Sequence, residues 1–161
     1  MKKNNKGFSL VELIVVVLIM AIIATALTLA VTKYVAKSKR SSDANTAGEL
    51  KTAAETTVTD YLTSKDNLEG TSDTGCTITI SGPTTGAGAW DYDSSGVNGY
   101  VEADFKEIFE SAAGTTAPAS KVYPKDSFKI TITVDTKSQC KYEVNYATPS
   151  HSTDIFAAAT K

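Results

Sequence analysis

The side chains able to do chemistry in this 161-residue chain are few, and their spacing does not converge on catalysis. His151 is the single histidine, which leaves little material for a Ser-His-Asp triad or a multi-histidine metal centre. Cys76 and Cys140 are the two thiols, too far apart for the paired spacing of a structural zinc site; a disulfide and two free buried thiols both fit. Asp60, Asp66, Glu69 and Asp104 are scattered without a spacing that supports acid–base work. No enzymatic activity, cofactor or bound metal is expected. The sharpest remaining pattern is Asp91-Tyr92-Asp93-Ser94-Ser95-Gly96 followed by Glu102, spaced like an EF-hand calcium loop. No entering helix precedes it, because Gly82 to Gly88 with Pro83 breaks the chain, and Asn98 stands where a hydrophobic residue normally couples such a loop to its core. The competing reading is an Asp/Ser/Gly surface loop leading into a helix whose first turn favours Glu102.

One acid stands out by its surroundings. From Leu13 to Val31 the chain has no charge and only Thr25 and Thr28 as polar interruptions, and as a helix it is just long enough to cross a hydrocarbon core of roughly 30 Å. Glu12 sits at the start of this stretch, between Leu10-Val11 and Leu13-Ile14, where a carboxylate is costly to insert and needs a reason. A cleaved secretory signal would explain the leading lysines and the small triplet Ala24-Thr25-Ala26, but the apolar run exceeds the roughly 7–15 residues of a usual signal core. A plain anchor and a buried helix explain neither Glu12 nor what precedes it.

The run Lys6-Gly7-Phe8-Ser9-Leu10-Val11-Glu12-Leu13 resembles the processing site of the type IV pilin family. The resemblance joins a short basic leader, a glycine, an aromatic, a small hydroxyl residue, two aliphatics and an acid, directly before a membrane-length helix. It implies cleavage between Gly7 and Phe8 by a prepilin peptidase, N-methylation of Phe8, and a role for Glu12 in assembly, where it meets the Phe8 amine of a neighbouring subunit. An unpaired buried carboxylate costs several kcal/mol or turns neutral, so such pairing favours one axial register over sliding. Many Gram-negative members carry a helix-weakening Gly and Pro where this chain has Ala21 and Leu29, which leaves open whether the helix unwinds on assembly.

The resemblance further implies an organisation of a leader at 1–7, a transmembrane and assembly helix at 8–32, and an extracytoplasmic globular domain at 33–161 that includes the amphipathic half of the helix. It implies a precursor spanning the cytoplasmic membrane once, then a homopolymeric surface filament for adhesion, motility or biofilm formation. Its partners would be prepilin peptidase, the pilus assembly platform and minor pilins. The alternative is a pseudopilin of a type II secretion or competence system.

The secondary structure that carries these residues is read from periodicity. Ala47, Leu50, Ala54, Val58, Tyr61 and Leu62 recur at three and four positions as one helix face. Absence of proline from Phe8 through Leu62 lets a single helix of about 80 Å join this face to the apolar half. Residues 76–81 alternate as a half-buried strand, and 128–134 with 140–146 alternate about a turn as a hairpin. Between them, Glu102 to Ala113 sets Phe105, Ile108, Phe109 and Ala112 on one face of a short helix. The fold class is therefore α+β, a long N-terminal helix with its hydrophobic half protruding, packed on a small antiparallel sheet. Both cysteines fall on the apolar parity of their strands, which makes a Cys76–Cys140 bridge geometrically plausible. Trp90, Tyr92 and Tyr100 read as local core packing in preference to an adhesive surface. The Thr/Ser patches at 71–74 and 115–116 suit exposed, glycosylatable loops, and His151 with Asp154 reads as a solvated tail before a short helix through Phe156 and Ala159.

Charge adds little. The net value of -2 favours neither nucleic acid nor an anionic surface by bulk attraction, so no direct nucleic-acid binding is expected. Lys2, Lys3 and Lys6 lie in the first seven positions with no acid, so of 16 basic residues 13 remain against 18 acidic ones once that stretch is removed.

Overall fold

The computed structural model describes residues 8–65, 68–72 and 75–151, the side chain of Leu29 aside. With no proline to remove a backbone donor, helix α1 (Leu10–Lys65) runs 56 residues without a break, through Ala21, Leu29 and Gly48. After it come β1 (Glu69–Gly70), β2 (Thr77–Ser81), β3 (Gly88–Ala89), β4 (Asp91–Ser95) and β5 (Val97–Asn98). The chain then forms α2 (Glu102–Ala113), β6 (Thr116–Ala117), β7 (Phe128–Val134), β8 (Cys140–Tyr146) and a 3-10 turn (Pro149–His151).

The chain divides into two compact units, 1–38 and 39–161. In the first, every described side chain is exposed, although nearly all from Leu10 to Val31 are apolar. Its threonines hide their hydroxyls within the helix: Thr25 donates to the Ile22 carbonyl at 2.8 Å and Thr28 to the Ala24 carbonyl at 2.8 Å. This local back-bonding leaves no free hydroxyl proton to be solvated, which suits an apolar environment.

The second unit is α+β, as the sequence implies. Its main sheet is antiparallel, in the order β4-β2-β7-β8. Period-2 alternation puts Ile78, Ile80, Ile130, Ile132 and Val144 on one buried face, leaving threonines, lysines and acids on the other. The 39–65 part of α1 shares this core through Ala47, Leu50, Ala54, Val58 and Tyr61. Ala47 and Ala54 have no bulk, so the helix backbone comes close to its neighbours while Leu50, Val58 and Tyr61 fill the gaps. A buried Leu or Val contributes roughly 1.5–3 kcal/mol.

Helix α2 adds Phe105 and Phe109, both buried; Ile108 is half-buried and Ala112 exposed, so the apolar face is narrower than its spacing suggests. Phe109 meets Trp90 edge-on at 5.4 Å between centroids, and Trp90 Nε1 donates to the Gly114 carbonyl at 3.0 Å. Gly114, with φ +88°, closes the helix in the left-handed region that a Cβ disfavours. Trp90 and Tyr92 are buried and Tyr100 half-buried, so these aromatics pack locally instead of forming a surface.

Candidate functional site

The candidate processing and assembly residues that the structure describes, Phe8 and Glu12, lie where α1 begins. Phe8 and Ser9 precede the helix, and the Ser9 carbonyl accepts a hydrogen bond from Leu13 N at 3.3 Å. Ser9 N donates in turn to Glu12 Oε2 at 3.1 Å. Ser9 is therefore the N-cap and Glu12 the third helical residue, which reaches back to satisfy a donor the helix itself cannot, as in a capping box. The acid also faces the positive end of the helix dipole. Two physical effects thus hold a carboxylate at the head of an apolar run, and among the described residues Glu12 forms no ion pair.

Phe8 is 83% exposed, directly ahead of this cap. Its backbone nitrogen is one residue from the nitrogen that Glu12 already holds, so a free amine created there would be within reach of the same carboxylate. Gly7 and the lysines Lys2, Lys3 and Lys6 lie outside the described residues. Beyond the cap, Leu10, Val11, Leu13 and Ile14 expose 73%, 65%, 59% and 48% of their surface, an apolar load that water disfavours. The helix is apolar enough over its first part to cross a membrane by length and composition.

The structure does not bring Cys76 and Cys140 together, and both are free thiols. The expected bridge fails on strand order. Cys140 pairs with Val134 of β7, and Val134 N donates to the Cys76 carbonyl at 2.9 Å from the other side. With β7 between them, the two Cα atoms stand two strand spacings apart, roughly 9–10 Å, against a bridging limit of about 7 Å. Cys76 Sγ turns instead to Ser72, whose N–H donates to it at 3.3 Å, and burial pushes the Cys140 thiol up.

Neither the calcium-loop spacing nor the favoured surface-loop reading describes the backbone from Asp91 to Ser95. Asp91 to Ser95 form strand β4, paired with Ser81 to Thr77 of β2. Asp91, Asp93 and Ser95 therefore run in a line along one exposed sheet face, about 6.8 Å apart, and do not curl around a common point. Among the described residues no group of three or more His, Cys, Asp or Glu is placed to hold a metal ion.

His151 is not a solvated tail: it stacks flat on Tyr123 at 3.8 Å and its Nδ1 lies 2.9 Å from Asp126 Oδ2. Asp154, Phe156 and Ala159 lie outside the described residues, as do Asp66, Asp73 and Thr74. Asp60 and Glu69 are exposed, and Asp104 pairs with Lys65 at 2.7 Å. Among the described residues, nothing draws Asp60, Glu69 and Asp104 into one site.

Sequence reasoning missed two buried carboxylates, Asp43 and Asp126. Asp43 accepts from Ser120 Oγ at 2.6 Å, Lys121 N at 2.7 Å, Val122 N at 3.1 Å and Tyr146 OH at 2.9 Å. Asp126 accepts from Ser127 N at 2.9 Å and Thr148 N at 3.1 Å as well as facing His151. A signal for the first was present: Asp43 is in step with Ala47, Leu50 and Ala54 on the apolar face of α1. The Ser9-to-Glu12 spacing of the capping box was also readable.

A family model described as the prokaryotic N-terminal methylation motif matches residues 2–28. No curated protein and no solved structure matches the chain.

Proposed function

We propose that this chain, which carries the class III signal peptide of type IV pilins as a pilin-like or pseudopilin precursor does, is the structural subunit of a type IV pilus. The motif implies processing by prepilin peptidase and assembly into a pilus-like polymer. Cleavage between Gly7 and Phe8 frees the amine of Phe8, which is then methylated. The precursor waits in the membrane through the apolar half of α1, and the same half becomes the core of the surface filament. The subunit performs no catalysis and needs no cofactor; its work is to polymerise.

The observation that carries this reading is that the matched motif, residues 2–28, runs into the apolar start of α1, whose described side chains are exposed through Ser41. Such a surface needs lipid or like helices to cover it. Glu12 supports the assembly half of the reading. Held among the described residues by Ser9 N, it has acceptor capacity left for an amine brought by a neighbour. In an apolar fibre core that pairing selects one stagger, because any other leaves a charge uncompensated.

The test is expression of the chain and its Glu12→Ala and Gly7→Asp variants in cells that have the processing and assembly machinery. Filaments containing the wild-type chain are expected at the surface. Glu12→Ala should be processed without polymerising efficiently, and Gly7→Asp should keep its leader. Wild-type processing without any filament, together with loss of protein secretion or DNA uptake on deletion, assigns the chain to the pseudopilins instead.

A further inference from the structure

Every described side chain from Phe8 to Ser41 is exposed, Ser42 is half-buried, and Asp43 is the first side chain of α1 to be buried, at 1% exposure. At this point the helix is held by a carboxylate and not by apolar bulk. The four donors to Asp43 come from two places far along the chain. Ser120 Oγ, Lys121 N and Val122 N belong to the segment between β6 and β7, and Tyr146 OH belongs to the end of β8. That segment is itself braced: Ser120 Oγ accepts from Val122 N at 3.1 Å and Tyr123 N at 2.8 Å, and Ser120 N donates to the Asp126 carbonyl at 2.9 Å. Tyr146 is tied into the main sheet, because β8 pairs with β7 from Phe128 to Val134. Burial and the neighbouring carboxylate raise the Tyr146 pKa, so the phenol keeps the proton it donates.

The contacts made next along the helix, ahead of the hydrogen-bonded Tyr61, differ in kind from these bonds. The next buried positions of α1 are Ala47, Leu50 and Ala54, whose contacts are non-directional and can slide along an apolar face. Hydrogen bonds to a buried carboxylate are short and directional, weakening steeply with misalignment. A pull along the helix axis is therefore resisted first and most sharply at Asp43.

We propose that Asp43 is a mechanical pin: it resists withdrawal of the 39–65 part of α1 from its own domain when the chain is pulled through its N-terminal segment. The fibre reading enters only as the source of that pull, since a subunit held in a filament by its apolar helix feels tension through α1.

The test is single-molecule pulling on the full chain in detergent or a lipid nanodisc, with handles at the exposed positions Lys37 and Lys137. Asp43→Asn keeps the shape but turns an amide N–H toward one of the donors. At fixed load it should raise the rate of helix detachment about tenfold, the factor that corresponds to losing one charge-assisted hydrogen bond. Sheet-core comparators, Ile130→Val, Ile132→Val and Val144→Ala, bracket its loss of equilibrium stability in urea. The one that matches should change the detachment rate by less than about twofold. Equal effects at equal equilibrium loss overturn the proposal, leaving Asp43 an ordinary stabilising contact. If Asp43→Asn does not fold, Tyr146→Phe and Ser120→Ala remove one donor each. Detachment under load should then quicken for both beyond their matched comparators, and no excess in either again overturns it. The measurement needs no filament, so failure of the fibre reading, seen as absent processing or absent polymer, is separate.

Discussion

Tyr61 and Tyr100 both pack against Phe105, and removing the same atom from each should have different consequences. Their rings meet Phe105 at 5.5 and 5.4 Å between centroids, tilted by 55° and 52°. Tyr61 OH donates to the Gly99 carbonyl at 2.6 Å and accepts from Val101 N at 2.9 Å, so it fastens α1 to the chain just ahead of α2. Tyr100 OH is buried and has no hydrogen-bond partner among the described residues. Tyr61→Phe loses two bonds and strands a carbonyl and an N–H, at a cost of about 2–3 kcal/mol. For a unit of this size that lowers Tm by roughly 8 °C. Tyr100→Phe removes a hydroxyl that gains nothing from burial, so stability should be unchanged or up by as much as about 1 kcal/mol. Thermal unfolding of the full-length chain and both variants in one detergent, measured by near-ultraviolet circular dichroism, reads the difference. Equal midpoints for the two variants, or a larger loss at Tyr100, would overturn this assignment of the two hydroxyls.

Three further outcomes are expected. Burial, then the charge of Glu102, pushes Tyr100 up to about 12 from 10, and burial likewise raises Tyr92 and Tyr142. A folded-state value above the unfolded one gives stability that is complete below pH 10 and lost as pH rises from 10 toward 12. Circular dichroism tracked alongside phenolate absorbance should show unfolding in that window, with Tyr100→Phe shifted to higher pH. The unfolded, unreduced chain should take up two thiol-alkylating groups by mass, because β7 separates Cys76 from Cys140; a mass unchanged by alkylation would contradict the strand order. Gly82→Ala should cost about 1–3 kcal/mol in urea, because its new methyl meets Ala117 Cβ at 2.6 Å and Ser127 Cβ at 2.8 Å; an unchanged midpoint would show slack in that packing.

What could be read from the sequence was what is local. The alternation of Phe128, Ile130, Ile132 and Val134 announces β7 because a strand repeats every two residues, and the absence of proline announces α1. The acids of Asp91 to Glu102 imitated a metal loop because a motif records spacing and not backbone path. Pairing with β2, unseen in the local pattern, stretches them out. The cysteines show the same limit: their side-chain parity was legible, but not that β7 lies between them. Asp43 sat visibly on an apolar helix face, yet its donors Ser120 and Tyr146 are 77 and 103 positions away, where no local rule reaches. His151 was misplaced for a related reason, since its stacking partner Tyr123 belongs to another loop. The Ser9 and Glu12 cap is local, three positions apart, so its spacing could be read from the sequence.

The fibre reading stands or falls on whether residues 1–7 are an address, removed to create a methylated amine beside Glu12. The mass of the N-terminal peptide, taken from the chain recovered from cells with the processing machinery, decides this. The expected result is a mature chain that begins at Phe8 and carries one methyl group on its amine. A chain that begins between Thr25 and Val31, or one that keeps Met1 and its lysines, would contradict it.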